Sequence, residues 1–413
     1  MTLIEPRLLK GFRDFAPQSQ ARRQQLFAMI RESFEIFGFA PLETPVLEYK
    51  DILMGKYGDD EKLVYSFKDN GDRDVAMRYD LTVPLARFVA LNQGKLTFPF
   101  KRYQIAPVWR ADNPQKGRYR EFYQCDVDVV GSDSVISDVE VIACLAQTIE
   151  AIGLTNYKIR INDRAVLKEL SQNAIRILDK VEKIGVDGMI NEMRARDIDT
   201  KEIELATKLV DPTVSGGILN DYIPDRLQQV LDLLQQYDLK GQVEFDPTIA
   251  RGLDYYSGTV FEIFLNDKPE YGSICSGGRY DGLLDQFSKQ SQPAVGGSIG
   301  IDRLLGAMEE ISTLPAVDQI EALIVNVEPE LSIQYIKLAN RLRELGIKTE
   351  VYCDSAKLEK QFKYGEQRDA KFALVFGSNE LEQNLVQLKN LQTREQQTLT
   401  FDNAIKNIVS ALR

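Results

Sequence analysis

Two strand-like runs, KRYQIAPVWR (101–110) and EFYQCDVDVVG (121–131), flank the proline- and glycine-containing loop ADNPQKGRYR. Two such runs around a loop with turn residues predict a long antiparallel hairpin. Period-two alternation then fixes the faces of the second arm. Tyr123, Cys125, Val127 and Val129 share an apolar face fit for a core, and Gln124, Asp126 and Asp128 share the opposite one. A solvated sheet face would also be polar. Gln and Asp have low strand propensity, however, so their choice here favours a site, with Arg110 at the end of the other arm.

Four further stretches carry candidate chemistry. In RYDLTVP (78–84), Asp80 and Thr82 share a face if extended. RGLDYYSGTVFEI (251–263) sets Arg251, Tyr255 and Tyr256 at the opening of a strand. SGGRYDGL (276–283) and AVGGSIGIDRL (294–304) are glycine-rich, and the second leads into an apolar helix carrying Arg303. Glycine lets backbone approach a ligand closely, and arginine can hold a phosphate bidentately. Neither glycine run matches a Walker or dinucleotide-binding pattern.

The chain contains no histidine. That excludes Ser-His-Asp and Cys-His catalysis and any His-ligated metal, leaving arginine, carboxylates, backbone groups and bound cations. Cys125, Cys144, Cys275 and Cys353 form no CxxC pair and read as free thiols of a reducing compartment. No apolar run is long enough to span a bilayer and no signal-peptide pattern opens the chain, so a cytoplasmic location is expected. The net charge of −11 argues against nucleic-acid binding by the whole surface, but not by a local patch such as Arg110, Lys116, Arg118 and Arg120.

At 413 residues the chain has room for about two or three domains. A helix is expected near Ser19–Phe37, then strands and short helices. Residues from about 165 to 240 read as strongly helical, and strand-like sequence resumes from Gln242 to about Ile301. The expected fold is an α+β catalytic domain with an antiparallel sheet, a helical insertion, and a C-terminal α/β domain whose βαβα alternation suggests a partly parallel sheet. The expected boundaries are 1–164 and 241–315 for the catalytic domain, 165–240 for the insertion and 320–413 for the last domain.

The ordered set KGFRDFAP, ETPVLEY, RADNPQKGRYREFYQ, RGLDYYSGTVFE, SGGRYDGL and GGSIGIDRL resembles the histidyl-tRNA synthetases, class II aminoacyl-tRNA synthetases, from end to end. The third, second and last stretches are similar to class II motifs 2, 1 and 3, and the C-terminal block to an anticodon-binding domain. The resemblance implies that Arg110 grips the ATP α-phosphate and the histidine carboxylate region, and that Arg118 and Arg303 serve ATP. Asp80, Leu81, Thr82 and Gln124 would surround the amino-acid backbone end. Asp128 and a tyrosine of the pair Tyr255–Tyr256 would meet the imidazole nitrogens, and Arg251 would stabilise charge on the α-phosphate. Such a pocket discriminates because a substrate lacking the partner leaves buried polar groups unpaired.

The resemblance further implies L-histidine, ATP with Mg2+ as a substrate complex, tRNA(His) and a homodimer, with no protein-bound metal. Ser276 stands where the family usually has glycine, and Asp128 is the shorter of the two acids expected there. The main alternative is a non-catalytic regulatory paralogue of ATP phosphoribosyltransferase, which commonly lacks the anticodon-binding domain and residues of the arginine motif retained here. A sensor of uncharged tRNA would need a fused kinase for which the chain has no room. An enzyme of this kind without histidine could be translated while charged histidyl-tRNA is scarce; compositional drift is the other explanation.

Overall fold

The computed structural model describes residues 3–55, 58–114, 117–210, 223–249, 255–288, 292–311 and 320–412. They form two compact units, one of residues 1–15 and 23–314 and one of residues 16–22 and 315–413.

The first unit is built on an eight-stranded sheet. Its strands are β1 (Ala40–Pro41), β2 (Phe100–Trp109), β3 (Glu121–Val130), β4 (Tyr157–Asp163), β5 (Gln242–Phe245), β6 (Thr259–Leu265), β7 (Ser273–Arg279) and β8 (Ala294–Gly300). They lie in the order β1-β2-β3-β8-β7-β6-β4-β5. The six central strands pair antiparallel. The short edge strands β1 and β5 pair parallel with β2 and β4, so the sheet is mixed only at its margins.

The hairpin β2–β3 has a continuous register from Phe100 opposite Val130 to Trp109 opposite Glu121. Its faces divide as alternation requires. Tyr103, Cys125, Val127 and Val129 enter the main core with Leu26, Ile30 and Phe34 of the helix Pro17–Ile36. Helix Val135–Ala151 buries most of its residues, on two opposite sides. One side meets the sheet, and the other meets helix Asp225–Leu234, whose Leu227, Val230 and Leu234 share the same core. Ser134 starts helix 135–151 by accepting a hydrogen bond from the Ile136 amide at 3.2 Å.

Helix 225–234 thus belongs to the main core, although the sequence pattern groups it with an inserted block. The helices Gln172–Leu178, Val181–Ala195 and Thr200–Val210 instead close around their own core, with Leu167, Ile177, Met189, Met193 and Leu209 at its centre. Amphipathic spacing shows that a helix buries one face but not which partner covers it.

A three-stranded sheet of Leu47–Tyr49, Asp74–Met77 and Ser66–Lys68, in that order, packs with helix Thr82–Asn92 in a third core. Buried Arg78 ties this layer to the hairpin, donating from Nε to the Pro107 carbonyl (2.9 Å) and from Nη1 to the Thr44 carbonyl (2.7 Å).

The second unit carries a five-stranded sheet, in the order Thr349–Val351, Ala322–Ile324, Phe372–Val375, Leu385–Asn390, Gln396–Thr400. The first three strands are parallel, with helices Ser332–Glu344 and Leu358–Gln367 between them in the chain, as the alternation predicts. The last two add an antiparallel hairpin that sequence reasoning misses, because its short arms, LVQLKN and QQTLT, interrupt their apolar residues with Gln, Lys and Asn. Among the described residues, no helix is long and apolar enough to cross a membrane.

Candidate active site

Strands β3, β6, β7 and β8 carry most of one cavity of about 440 Å3. Its floor depends on glycine. Gly277 of β7 pairs with Gly297 of β8, and a Cβ on Gly277 would meet the Gly296 carbonyl oxygen at 2.3 Å. A Cβ on Gly296 would lie 1.9 Å from Asp128 Oδ1. These glycines serve close approach of neighbouring strands and of the Asp128 side chain, as well as leaving room for a ligand.

The polar face of the hairpin enters this cavity. Asp126 and Asp128 are buried, and burial pushes both carboxyls above the usual carboxylate range, with Arg102 the main opposing influence. Tyr280 donates its hydroxyl to Asp128 Oδ1. Fully buried Arg102 sits opposite Asp128 in the register, with Nη2 2.7 Å from Oδ2. Beyond that ion pair, Oδ2 has no hydrogen-bond donor among the described residues. Gln124 donates to Ser298 Oγ at 3.1 Å, while its Oε1 has no hydrogen-bond partner among them.

At one side, Asp80 accepts from the Val83 amide (3.0 Å) at the start of helix 82–92 and from the Tyr255 hydroxyl (3.4 Å). The Tyr255 ring packs edge-on against Tyr256 and Tyr280 at 5.2 and 5.9 Å. Burial, then Asp126, Asp128, Asp80 and Glu262 in that order, push the Tyr256 phenol up, so it stays protonated at neutral pH. This end of the cavity can therefore both donate and accept hydrogen bonds.

The other end is cationic. Arg110 lies between the rings of Tyr79 (4.3 Å) and Phe122 (5.1 Å) and donates from Nε to the Tyr79 carbonyl at 3.1 Å. Arg303, in the first turn of helix Ile301–Ile311, donates from Nη1 to the Ser273 carbonyl at 2.9 Å. Arg118 pairs loosely with Asp112 at 3.8 Å.

Of the residues singled out from the sequence, Asp80, Thr82, Arg110, Arg118, Gln124, Asp128, Tyr255, Tyr256 and Arg303 all line this one cavity. Leu81 does not. It is fully buried with Ala106 and Val108, and only its carbonyl serves the site, as acceptor for Arg102 Nη2 at 3.2 Å. Arg251 and Lys116 lie outside the described residues.

A family model described as Histidyl-tRNA synthetase matches residues 11–304, and one described as Anticodon binding domain matches residues 321–411. The chain belongs to the histidyl-tRNA synthetase family. It is 40% identical to a histidine–tRNA ligase of Rhodopirellula baltica, over 97% of each chain. It is 39% identical to a histidine–tRNA ligase of Helicobacter pylori, over 98% of each. The solved histidyl-tRNA synthetase of Nostoc superposes with a TM-score of 0.84 at 29% identity, covering 99% of this chain and all of that one.

For a histidyl-tRNA synthetase sequence, three further residues become legible only with the fold. Arg102, Tyr280 and Ser298 come from three separate stretches and meet at Asp126 and Asp128. Counting the hairpin register outward from the loop 111–120 would pair Arg102 with Val129; the observed register, with Trp109 opposite Glu121, sets it opposite Asp128. The N-terminal stretch KGFRDFAP also anchors the site, since Arg13 pairs with Asp302 and stacks 3.2 Å above the Tyr119 ring. Arg120, expected among the exposed loop cations, donates instead to the carbonyls of Asp112 (3.0 Å) and Lys10 (3.3 Å).

Proposed function

We propose that the chain is a histidine–tRNA ligase working by two displacements. The histidine carboxylate attacks the ATP α-phosphorus, the bond to the bridging oxygen breaks, and pyrophosphate leaves. A hydroxyl of the tRNA(His) terminal ribose then attacks the carbonyl carbon of the adenylate, and AMP leaves. ATP enters as its Mg2+ complex. The observation that carries this reading is the convergence of distant stretches on one cavity, acidic and phenolic at one end and cationic at the other.

The polarity of the cavity supports the following arrangement. Asp80, Thr82 and Gln124 receive the α-amino group, and Asp128 with Tyr255 or Tyr256 meets the imidazole nitrogens. Arg110 sits between, facing the carboxylate and the α-phosphate, with Arg303 and Arg118 toward the rest of the nucleotide. Fixed guanidinium groups stabilise developing phosphate charge without reorganising in the reaction. Arg251 supplies that stabilisation at the α-phosphate. The domains follow this division of labour: 1–164 and 241–315 for catalysis, joined by helix 225–234 in the main core, the rest of 165–240 inserted, and 320–413 for the anticodon. The enzyme works as a homodimer in the cytoplasm.

Histidine-dependent ATP–pyrophosphate exchange tests the reading. Strong exchange is expected, with a fall of about 10²–10³-fold in Arg251→Ala, the size of losing one preorganised donor. A folded protein without exchange would point to the regulatory paralogue.

A further inference from the structure

Asp128 is held between two neighbours by sheet register. Arg102 lies opposite it on β2, and Gly296 lies opposite it on β8. The carboxylate therefore rests over a glycine and beside a guanidinium. Arg102 is completely buried, yet its polar contacts are few: the ion pair to Asp128 and the Leu81 carbonyl, both through Nη2. Its Nε and Nη1 have no hydrogen-bond partner among the described residues.

Several other titratable groups face Asp128. Asp126 comes from the same strand, Tyr280 from just after β7, and Tyr256 from the approach to β6, while Asp80 acts on Asp126 and Tyr256, and Glu262 on Tyr256. Arg102 thus faces two carboxyls and a phenol, Asp126, Asp128 and Tyr280. Two buried carboxylates two residues apart disfavour each other's ionised form, and burial disfavours both. A protonated Asp128 would offer an O–H where a substrate N–H needs an acceptor.

We propose that Arg102 is a positioning residue for amino-acid recognition, holding Asp128 ionised and aimed as an acceptor against the neighbouring charge of Asp126. It touches neither substrate and acts through Asp128. This rests on the reading of the acidic end as the imidazole site.

The test is histidine-dependent ATP–pyrophosphate exchange across about pH 6–9, in the parent, Arg102→Gln, Arg102→Lys, Asp126→Asn and the double variant Arg102→Gln/Asp126→Asn. Removing the cation raises the Asp128 carboxyl further, so the acid limb of histidine KM moves to higher pH. At neutral pH, KM for histidine is expected to rise by about tenfold for each unit of that movement, with KM for ATP within about twofold of the parent. The deficit shrinks as pH rises. Arg102→Lys keeps the acid limb in place, and Asp126→Asn in the Arg102→Gln background recovers part of the loss.

An unmoved acid limb in folded Arg102→Gln overturns the proposal. So does an equal loss for histidine and ATP at every pH, the mark of a purely structural role. If Arg102→Gln does not fold, the double variant against Asp126→Asn carries the same test, and coincident acid limbs overturn it. A parent protein without exchange would remove the activity reading itself, whereas an active parent with unmoved variants removes only the role of Arg102.

Discussion

Two buried arginines on the same sheet keep opposite company. Arg279, at the end of β7, is saturated: its Nε and Nη2 fork onto Asp138 at 3.1 and 2.8 Å, and its Nη1 reaches Asp281 and the Ser132 carbonyl, both at 3.2 Å. Asp138 also accepts from Arg226 of helix 225–234 at 2.8 Å. Arg102, equally buried, has one carboxylate, one carbonyl and two donor atoms without hydrogen-bond partners among the described residues. Buried polar groups are nearly always satisfied, so each exception needs a cause. The Arg279 cluster joins β7, helix 135–151 and helix 225–234, and every nitrogen of Arg279 has a partner in it. Of the Arg102 cluster, formed with Asp128 and the Leu81 carbonyl, only Asp128 lines the cavity, and on our proposal its carboxylate is what substrate meets.

The comparison can be broken most directly at Asp138. Asp138→Ala leaves Arg279 buried beside an empty position, and losing one partner of a buried pair costs about 3–5 kcal/mol. Urea unfolding should show that loss, while histidine KM of the folded fraction stays near the parent value. A change under about 1 kcal/mol would mean that the saturated cluster is not architectural.

The converse substitution is Gly296→Ala. Its Cβ would fall 1.9 Å from Asp128 Oδ1, so the carboxylate must shift. A displacement of about 1 Å in a positioned group costs about 100-fold, and kcat/KM for histidine should fall by that factor. Unchanged kinetics in this variant would remove Asp128 from recognition.

The smallest expected effect is on stability. Burial, the first cause, raises the Asp126 carboxyl in the folded state. A group so raised contributes stability below its unfolded value and loses it as pH rises through the folded value. Asp126→Asn removes that ionisation, so it should stabilise the substrate-free protein by on the order of 1 kcal/mol at alkaline pH, and by less toward acid. Thermal melts across pH measure the difference. A constant offset would mean that Asp126 carries the same charge in both states.

The hairpin is legible because period-two alternation and a turn-rich loop are local properties, and its faces divide as the residues suggest. The parallel strands and helices of the second unit follow from the same logic, and its terminal hairpin is hidden because polar residues interrupt its short arms. Within the site, the residues that stand out are those unusual for their element: acids in a strand, paired tyrosines, an arginine after a glycine run. Leu81 looks like its neighbours Asp80 and Thr82, but it points into the interior, since adjacent residues at a helix start face different ways. Tyr280 and Ser298 are ordinary residues until two more strands bring them to Asp126 and Asp128.

Sequence alone determined most of the elements, the faces of the long hairpin and the chemical kinds present, including an active site that must work without histidine, because these depend on residue type and spacing within short stretches. Tertiary structure decided which helix covers helix 135–151, which glycines are compelled, and which buried arginine is saturated. Those outcomes depend on strand order and on pairings between residues far apart in the chain, such as Asp138 with Arg279 and Asp128 with Tyr280. Local propensity carries no record of distant partners, and only closure of the sheet brings them within hydrogen-bonding reach.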